Sequence, residues 1–139
     1  MNESQVTQKI IRTLNEIPKC YARKQFGGRF SAGDPDVRMV YRGQAFLIEI
    51  KLSNGELSDL QAEMLRRWQE AGAICCLFVF DPPSKTFYCL SNRFWNCYLG
   101  KIVNHINSNP DAFFKFNIKQ IPEYINFLYE ASHKNQSIA

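Results

Sequence analysis

The sequence predicts a mixed α/β fold. Its apolar residues follow a helical period at the N-terminus, then a strand-like alternation between residues 37 and 52. A helical period returns after Ser58, and a short, wholly apolar run follows at Ala73–Phe80. Of 139 residues, 45% are hydrophobic, 14% aromatic and 22% charged, enough apolar surface for one core without disulfides. That balance excludes a disordered tail and a disulfide-dependent miniprotein, and the length excludes two full catalytic domains.

Val6, Ile10, Leu14 and Ile17 predict a first helix, capped by Asn2 with Gln5 at the third helical position and ended by Pro18. A basic, aromatic stretch runs on to Gly33, with a loop at Gly27-Gly28 and a weakly signalled strand at Cys20–Lys24. Pro35 leads into a strand carrying Val37, Met39 and Tyr41. Arg42-Gly43 suits a tight turn, and Gln44–Leu52 is the returning strand of a hairpin. Ser58 and Gln61 form a capping box for a second helix ending near Gly72, with Leu60, Met64, Trp68 and Ala71 as its inward stripe. Ala73–Phe80 reads as a strand buried on both faces, stopped by Asp81-Pro82-Pro83 and followed by a short strand at Thr86–Leu90. Ser91 caps a third helix with Phe94, Tyr98, Ile102 and Ile106 on one face, ended by Asn109-Pro110. An aromatic cluster, Phe113, Phe114 and Phe116, precedes a last helix from Glu123, and the tail after His133 is expected to fray. Residues 1–90 are thus the core, and residues 91–139 a helical extension packed on the same domain.

No stretch approaches the ~20 apolar residues of a membrane span. The polar N-terminus lacks the cationic and apolar regions of a signal peptide, so a soluble, cytoplasmic protein is expected. Cys20, Cys75, Cys76, Cys89 and Cys97 are odd in number, lie mostly in apolar runs and form no CxxC pair; they read as reduced core residues. His105 and His133 lie away from any paired nucleophile. The net charge of +4 permits nucleic-acid binding without requiring it.

The chemistry concentrates on the hairpin. Side chains alternate across a strand, so Glu49 and Lys51 share a face of Gln44–Leu52 with Leu47, while Phe46, Ile48, Ile50 and Leu52 take the other. A two-residue turn at Arg42-Gly43 sets Asp36 opposite Glu49. Carboxylates on β carbons ~4.5–5.5 Å apart destabilise a sheet unless something compensates them. A hard divalent cation does so, and this segment offers the oxygen donors that suit Mg²⁺ or Mn²⁺ but not the His or Cys that suit zinc or copper. Lys51 either pairs with Glu49 or meets a water or phosphate. Glu3 extends the apolar stripe of the first helix and so points inward, although a helix-dipole role in the first turn describes it as well. Gln61 shares a face with Met64, Leu65 and Trp68 but also suits the capping box alone. Taken singly, Gly33-Asp34-Pro35-Asp36 is a turn signature and Glu-x-Lys a common surface pair. Their convergence points to a site.

Glu3 on a first helix, Gly33-Asp34-Pro35-Asp36, Glu49-Ile50-Lys51, a Gly-containing turn, Leu57-Ser58-Asp59-Leu60-Gln61 and a helix ending in Ala71-Gly72 occur here in one order. Over roughly residues 3–80 this pattern resembles the virus-type replication-repair nuclease domain, VRR-NUC, of the PD-(D/E)XK nuclease superfamily. The resemblance implies a restriction-endonuclease-like core of helix, three-stranded antiparallel meander, helix and further strand, hydrolysing phosphodiester bonds with Mg²⁺ or Mn²⁺. It implies Asp36 and Glu49 as metal ligands together with the Ile50 carbonyl, and Glu3 as a ligand directly or through water. Lys51 would activate or orient the attacking water, and Gln61 would steady the site. Asp34 stands where the family more often carries a small or apolar residue.

A carboxylate cluster repels phosphate, so affinity for DNA must come from other residues. Lys19, Arg23, Lys24 and Arg29 fall between Ile17 and Gly33 with no acid among them and with Tyr21, Phe26 and Phe30 interleaved. Arg38 alternates onto the Asp36 face, either to touch phosphate or to balance the carboxylates. No base-reading module is evident, which favours recognition of shape over sequence. The resulting expectation is a Mg²⁺- or Mn²⁺-dependent endonuclease of branched DNA such as Holliday junctions. The junction substrate is what the resemblance implies, since stand-alone members of the family resemble junction-resolving enzymes; it implies a homodimer as well, because a four-way junction presents two symmetric cut sites. Two other readings stay open: a nucleic-acid-binding module that keeps this scaffold without cutting, and a protein-binding domain built on the C-terminal aromatics.

Overall fold

The computed structural model describes residues 1–25, 33–90, 101–108, 111 and 113–138; among these, six strands form one sheet in chain order. The elements are α1 (Glu3–Asn15), β1 (Cys20–Lys24), β2 (Val37–Tyr41), β3 (Gln44–Leu52), α2 (Asp59–Glu70), β4 (Ile74–Asp81), β5 (Thr86–Leu90), α3 (Ile102–Ser108), β6 (Phe113–Phe116), a 3-10 turn at Ile118–Gln120 and α4 (Ile121–Ile138). Strands β1 to β3 form the antiparallel meander. β4 returns parallel to β3 after α2, and β5 and β6 add antiparallel.

Two helical layers explain the apolar pattern. On one face Val6, Ile10 and Leu14 of α1 and Ile121 and Ile125 of α4 pack against Phe46, Ile48, Ile50, Phe78 and Phe116. On the other, Leu57, Ala62 and Leu65 around α2, and Ile102 and Ile106 of α3, meet Leu47, Leu77, Val79 and Leu90. β4 lies beneath both layers, and its residues from Cys75 to Phe80 are all buried, so its run is continuously apolar. The expected caps are present: Asn2 and Gln5 bond reciprocally at 2.8 and 2.9 Å, and Ser58 and Gln61 at 3.1 and 3.0 Å. Arg42 (φ 50°) and Gly43 (φ 84°) both take positive φ, as a primed hairpin turn requires, and pairing runs from Tyr41↔Gln44 to Val37↔Ile48.

Three expectations are corrected. The inward stripe of α2 is not Leu60, Met64, Trp68 and Ala71. Leu60 and Trp68 are 50% and 40% exposed, whereas Ala62 and Leu65 are buried. Small Ala62 lets the helix approach the sheet, and the bulky Leu60 and Trp68 turn sideways onto the Gly33–Asp36 segment. The aromatic cluster at Phe113–Phe116 is a strand, since pairing with β5 satisfies backbone groups that a bare sheet edge would expose. The last helix begins at Ile121 and continues to Ile138, beyond the expected fraying point at His133.

Among the described residues no helix is long and apolar enough to cross a membrane. Cys75, Cys76 and Cys89 are buried free thiols and Cys20 is half-buried. Expectations placed on Phe26, Gly27, Gly28, Arg29, Phe30, Ser91, Phe94, Cys97, Tyr98, Asn109 and Pro110 lie outside the described residues.

Candidate active site

The ladder between β2 and β3 ends at Val37↔Ile48, one step before Asp36 and Glu49. Beyond it, Asp36 links three strands. Its backbone carbonyl accepts from the Gln25 amide at 2.7 Å, and its Oδ2 accepts from the Ile50 amide at 3.0 Å. Residues of β3 alternate in aiming their backbone groups at β2. The closing pair Tyr41↔Gln44 sets that phase, so Ile50 turns both its N–H and its carbonyl toward the Asp36 side. Pro35, which has no amide hydrogen, precedes Asp36 at this strand end.

Glu49 is 1% exposed, on a sheet face otherwise filled by Leu47, Leu77 and Val79. It lies beside Leu77 in register and in hydrogen-bond contact with the Asp36 carboxyl. Its Oε2 is buried with no hydrogen-bond partner among the described residues. Burial, then the shared bond and the negative charge of Asp36, push its pKa up to about 10, against the pull of Lys51. Glu49 therefore favours its protonated form where no cation is bound.

Glu3, at the start of α1, is also raised. Burial is the first cause and Asp36 another, while Lys51 and a hydrogen bond from the Leu52 backbone act the other way. Glu3, Asp36, Glu49 and Lys51 thus act on one another electrostatically. Among the described residues, however, no three His, Cys, Asp or Glu side chains converge closely enough to hold a metal ion by themselves. The acidic centre is a close pair, with Glu3 standing off. A hard cation fits this donor set: two carboxylates, one with an orphaned buried oxygen, beside the Ile50 carbonyl. Mg²⁺ and Mn²⁺ accept such incomplete protein shells.

Gln61 is committed elsewhere, because its Oε1 accepts from the Ser58 amide in the α2 cap. The basic residues divide. Arg23 and Arg38 are exposed, lie directly opposite each other on β1 and β2, and share the face of Asp36 and Glu49. Lys24 has the parity of buried Ala22 and faces the α1 side, and Lys19 sits at the far, hairpin end of the sheet. Arg29 lies outside the described residues. Sequence reasoning missed Trp68 and Asp34: the indole N–H donates to Asp34 Oδ1 at 3.4 Å. The unusual acid after Gly33 was the available signal for that contact.

No protein-family model matches the chain, and no curated protein sequence matches it. Among solved structures it is similar to Hjc of Archaeoglobus fulgidus, a Holliday junction resolvase from an archaeal hyperthermophile. The TM-score is 0.54 at 15% identity, over 73% of this chain and 98% of that one. The six-stranded sheet, its helices on both faces and this likeness agree, and the chain has the restriction-endonuclease-like fold.

Proposed function

We propose that this chain is a Mg²⁺- or Mn²⁺-dependent, structure-selective DNA endonuclease of the VRR-NUC kind, acting on branched DNA such as Holliday junctions. The observation that carries the reading is Glu49, a carboxyl buried at an apolar position against Asp36, with an oxygen that has no hydrogen-bond partner among the described residues. Burying such a group without a partner is costly, and stability alone does not account for it. The likeness to a junction resolvase supports the same reading.

Asp36 and Glu49, with the Ile50 carbonyl, would hold the cation, and Glu3 would reach it through water. When bound, that ion neutralises charge on the phosphate oxygens and acidifies a water. Lys51 orients the water and offsets charge beside Glu49, while Asp36, tied to the Ile50 amide, keeps the acidic pair in register. Arg23 and Arg38 bind the backbone on the same face. A homodimer matches the symmetry of a four-way junction. Phe114 and Phe127, 50% and 64% exposed, form the surface a second copy would cover.

The test is a panel of four-way junctions, flaps, splayed arms and plain duplex, each incubated with Mg²⁺ or Mn²⁺. Branched substrates are expected to be cut in preference to duplex, and chelation should abolish cutting. Glu49→Ala and Lys51→Ala should each lower the rate by about a hundredfold or more, as removal of a charge-stabilising group commonly does. Undiminished cleavage by both variants overturns the proposal.

A further inference from the structure

Beside the acidic pair, the sheet carries a feature that phosphate hydrolysis does not use. Among the described residues no helix lies over the face of β1 and β2 away from α1, and a groove of about 310 Å³ opens there between the sheet and the flank of α2. Tyr21, Arg23, Arg38, Val40 and Trp68 line it. Tyr21 is 64% and Val40 50% exposed, and the Trp68 indole is held by its bond to Asp34. The groove reaches Arg38 and Leu47, each two positions along its strand from Asp36 and Glu49, about 7 Å at ~3.3 Å per residue.

We propose that this groove receives one unstacked nucleobase of the bound DNA, from a nucleotide next to the phosphate at Asp36 and Glu49, with Trp68 and Tyr21 as stacking surfaces. The inference rests on the nuclease reading and adds the feature of the substrate that the site recognises: a base out of its stack, as a branch point supplies and a plain duplex does not. Three observations carry it.

The first is charge. Arg23 and Arg38 stand directly opposite on adjacent strands, an arrangement that repels, and among the described residues neither has a carboxylate in ion-pair contact. An occupant that brings negative charge, as the phosphates flanking a base do, offsets that repulsion. The second is shape. The groove lies at the small end of the ~300–1,000 Å³ range of ligand sites, which suits a single heterocycle between exposed aromatic rings. The third is an unsatisfied acceptor. Gln25, whose Oε1 is buried with no partner among the described residues, lines a small adjoining recess of about 30 Å³ that shares Arg38, Leu47 and Trp68 with the groove. A small turn of the Gln25 amide toward the recess would let it accept from the N–H edge of a base.

The test measures binding of junctions in Ca²⁺, with each nucleotide around the branch replaced in turn by an abasic site. For wild type, one abasic position should weaken binding about tenfold, the scale of a single base-stacking contact. Trp68→Ala should bind the intact junction about tenfold more weakly and be indifferent to that abasic site; Trp68→Phe should restore the discrimination. Tyr21→Ala, at a more exposed position, should repeat the Trp68→Ala pattern. A wild-type protein that binds every abasic junction like the intact one, or binds none, overturns the proposal, as does discrimination that survives in both alanine variants. Cleavage by wild type and by Glu49→Ala, read separately in Mg²⁺, keeps the two ideas apart. Base discrimination without Glu49-dependent cutting leaves the groove standing and removes the nuclease; cutting without discrimination does the reverse.

Discussion

If the proposed function holds, Glu49 links it to stability through one proton. In the native chain it keeps that proton up to about 10, because it is buried beside Asp36; unfolded, it loses it in the ordinary carboxylate range. Between those values the native state binds more protons than the unfolded state, so unfolding free energy falls as pH rises. Metal-free melting curves from about pH 5 to about pH 9 should show a falling midpoint. Glu49→Gln should flatten the trend and stabilise the protein at the alkaline end by about 1–2 kcal/mol while abolishing cleavage. A midpoint that does not fall with pH in wild type contradicts this account. Gly33 is a second site where one atom matters. Its φ is +81°, and a Cβ there would stand 2.5 Å from Leu60 Cγ and 3.3 Å from the Leu60 carbonyl. Gly33→Ala should cost about 1–3 kcal/mol in denaturant unfolding, combining backbone strain with a clash. Adding Leu60→Ala should recover only part, because the φ penalty stays.

Elements determine which residues reach the site. The α1 capping box at Asn2 and Gln5 orders the turn that carries Glu3 toward Lys51 and the Leu52 backbone. The Ser58 box starts α2, and Gln61, its third helical residue, serves that cap with its side-chain oxygen. Ser58→Ala should therefore lower stability by about 1 kcal/mol, seen as a shift in the denaturant midpoint at unchanged slope. If Gln61 acts through the cap, Gln61→Ala should do the same and leave the metal dependence of cleavage unaltered. A raised metal requirement in Gln61→Ala would instead return it to the site. The rotation of α2 has a larger consequence. It buries Ala62 and Leu65 and leaves Trp68 beside the sheet, where a helical wheel drawn on the most apolar residues puts it in the core.

Among the described residues, helices cover both faces of β3 and β4 but only one face of β1 and β2, and the uncovered area holds Arg23, Arg38 and the groove. Affinity there should be chiefly electrostatic. Arg23→Ala is expected to weaken binding to all DNA sequences alike and to reduce the slope of log affinity against log salt by about one, measured by anisotropy titrations across ionic strengths. A changed preference among sequences with an unchanged salt slope would show base readout instead. At the other end, α4 joins α1 over the same face, with Ile125 fully buried. Ile125→Ala should cost about 2–5 kcal/mol in global unfolding, because the C-terminal helix shares one core with the meander.

Local patterns were enough for the caps, the hairpin turn, the doubly buried β4 and the face shared by Glu49 and Lys51, because each depends on neighbours a few residues apart. Asp36 was placed opposite Glu49 by the same means, since a two-residue turn dictates register. The tertiary structure alone decided that Glu49 is buried with an unsatisfied oxygen, that Glu3 stands off from the close pair, that Gln61 serves a cap, and that Lys24 faces away from Arg23 and Arg38. It also decided the rotation of α2, which puts Trp68 against Asp34. These outcomes depend on how helices seat on the sheet, and that seating is set by the volume and contacts of side chains distant in sequence, which no period along the chain records.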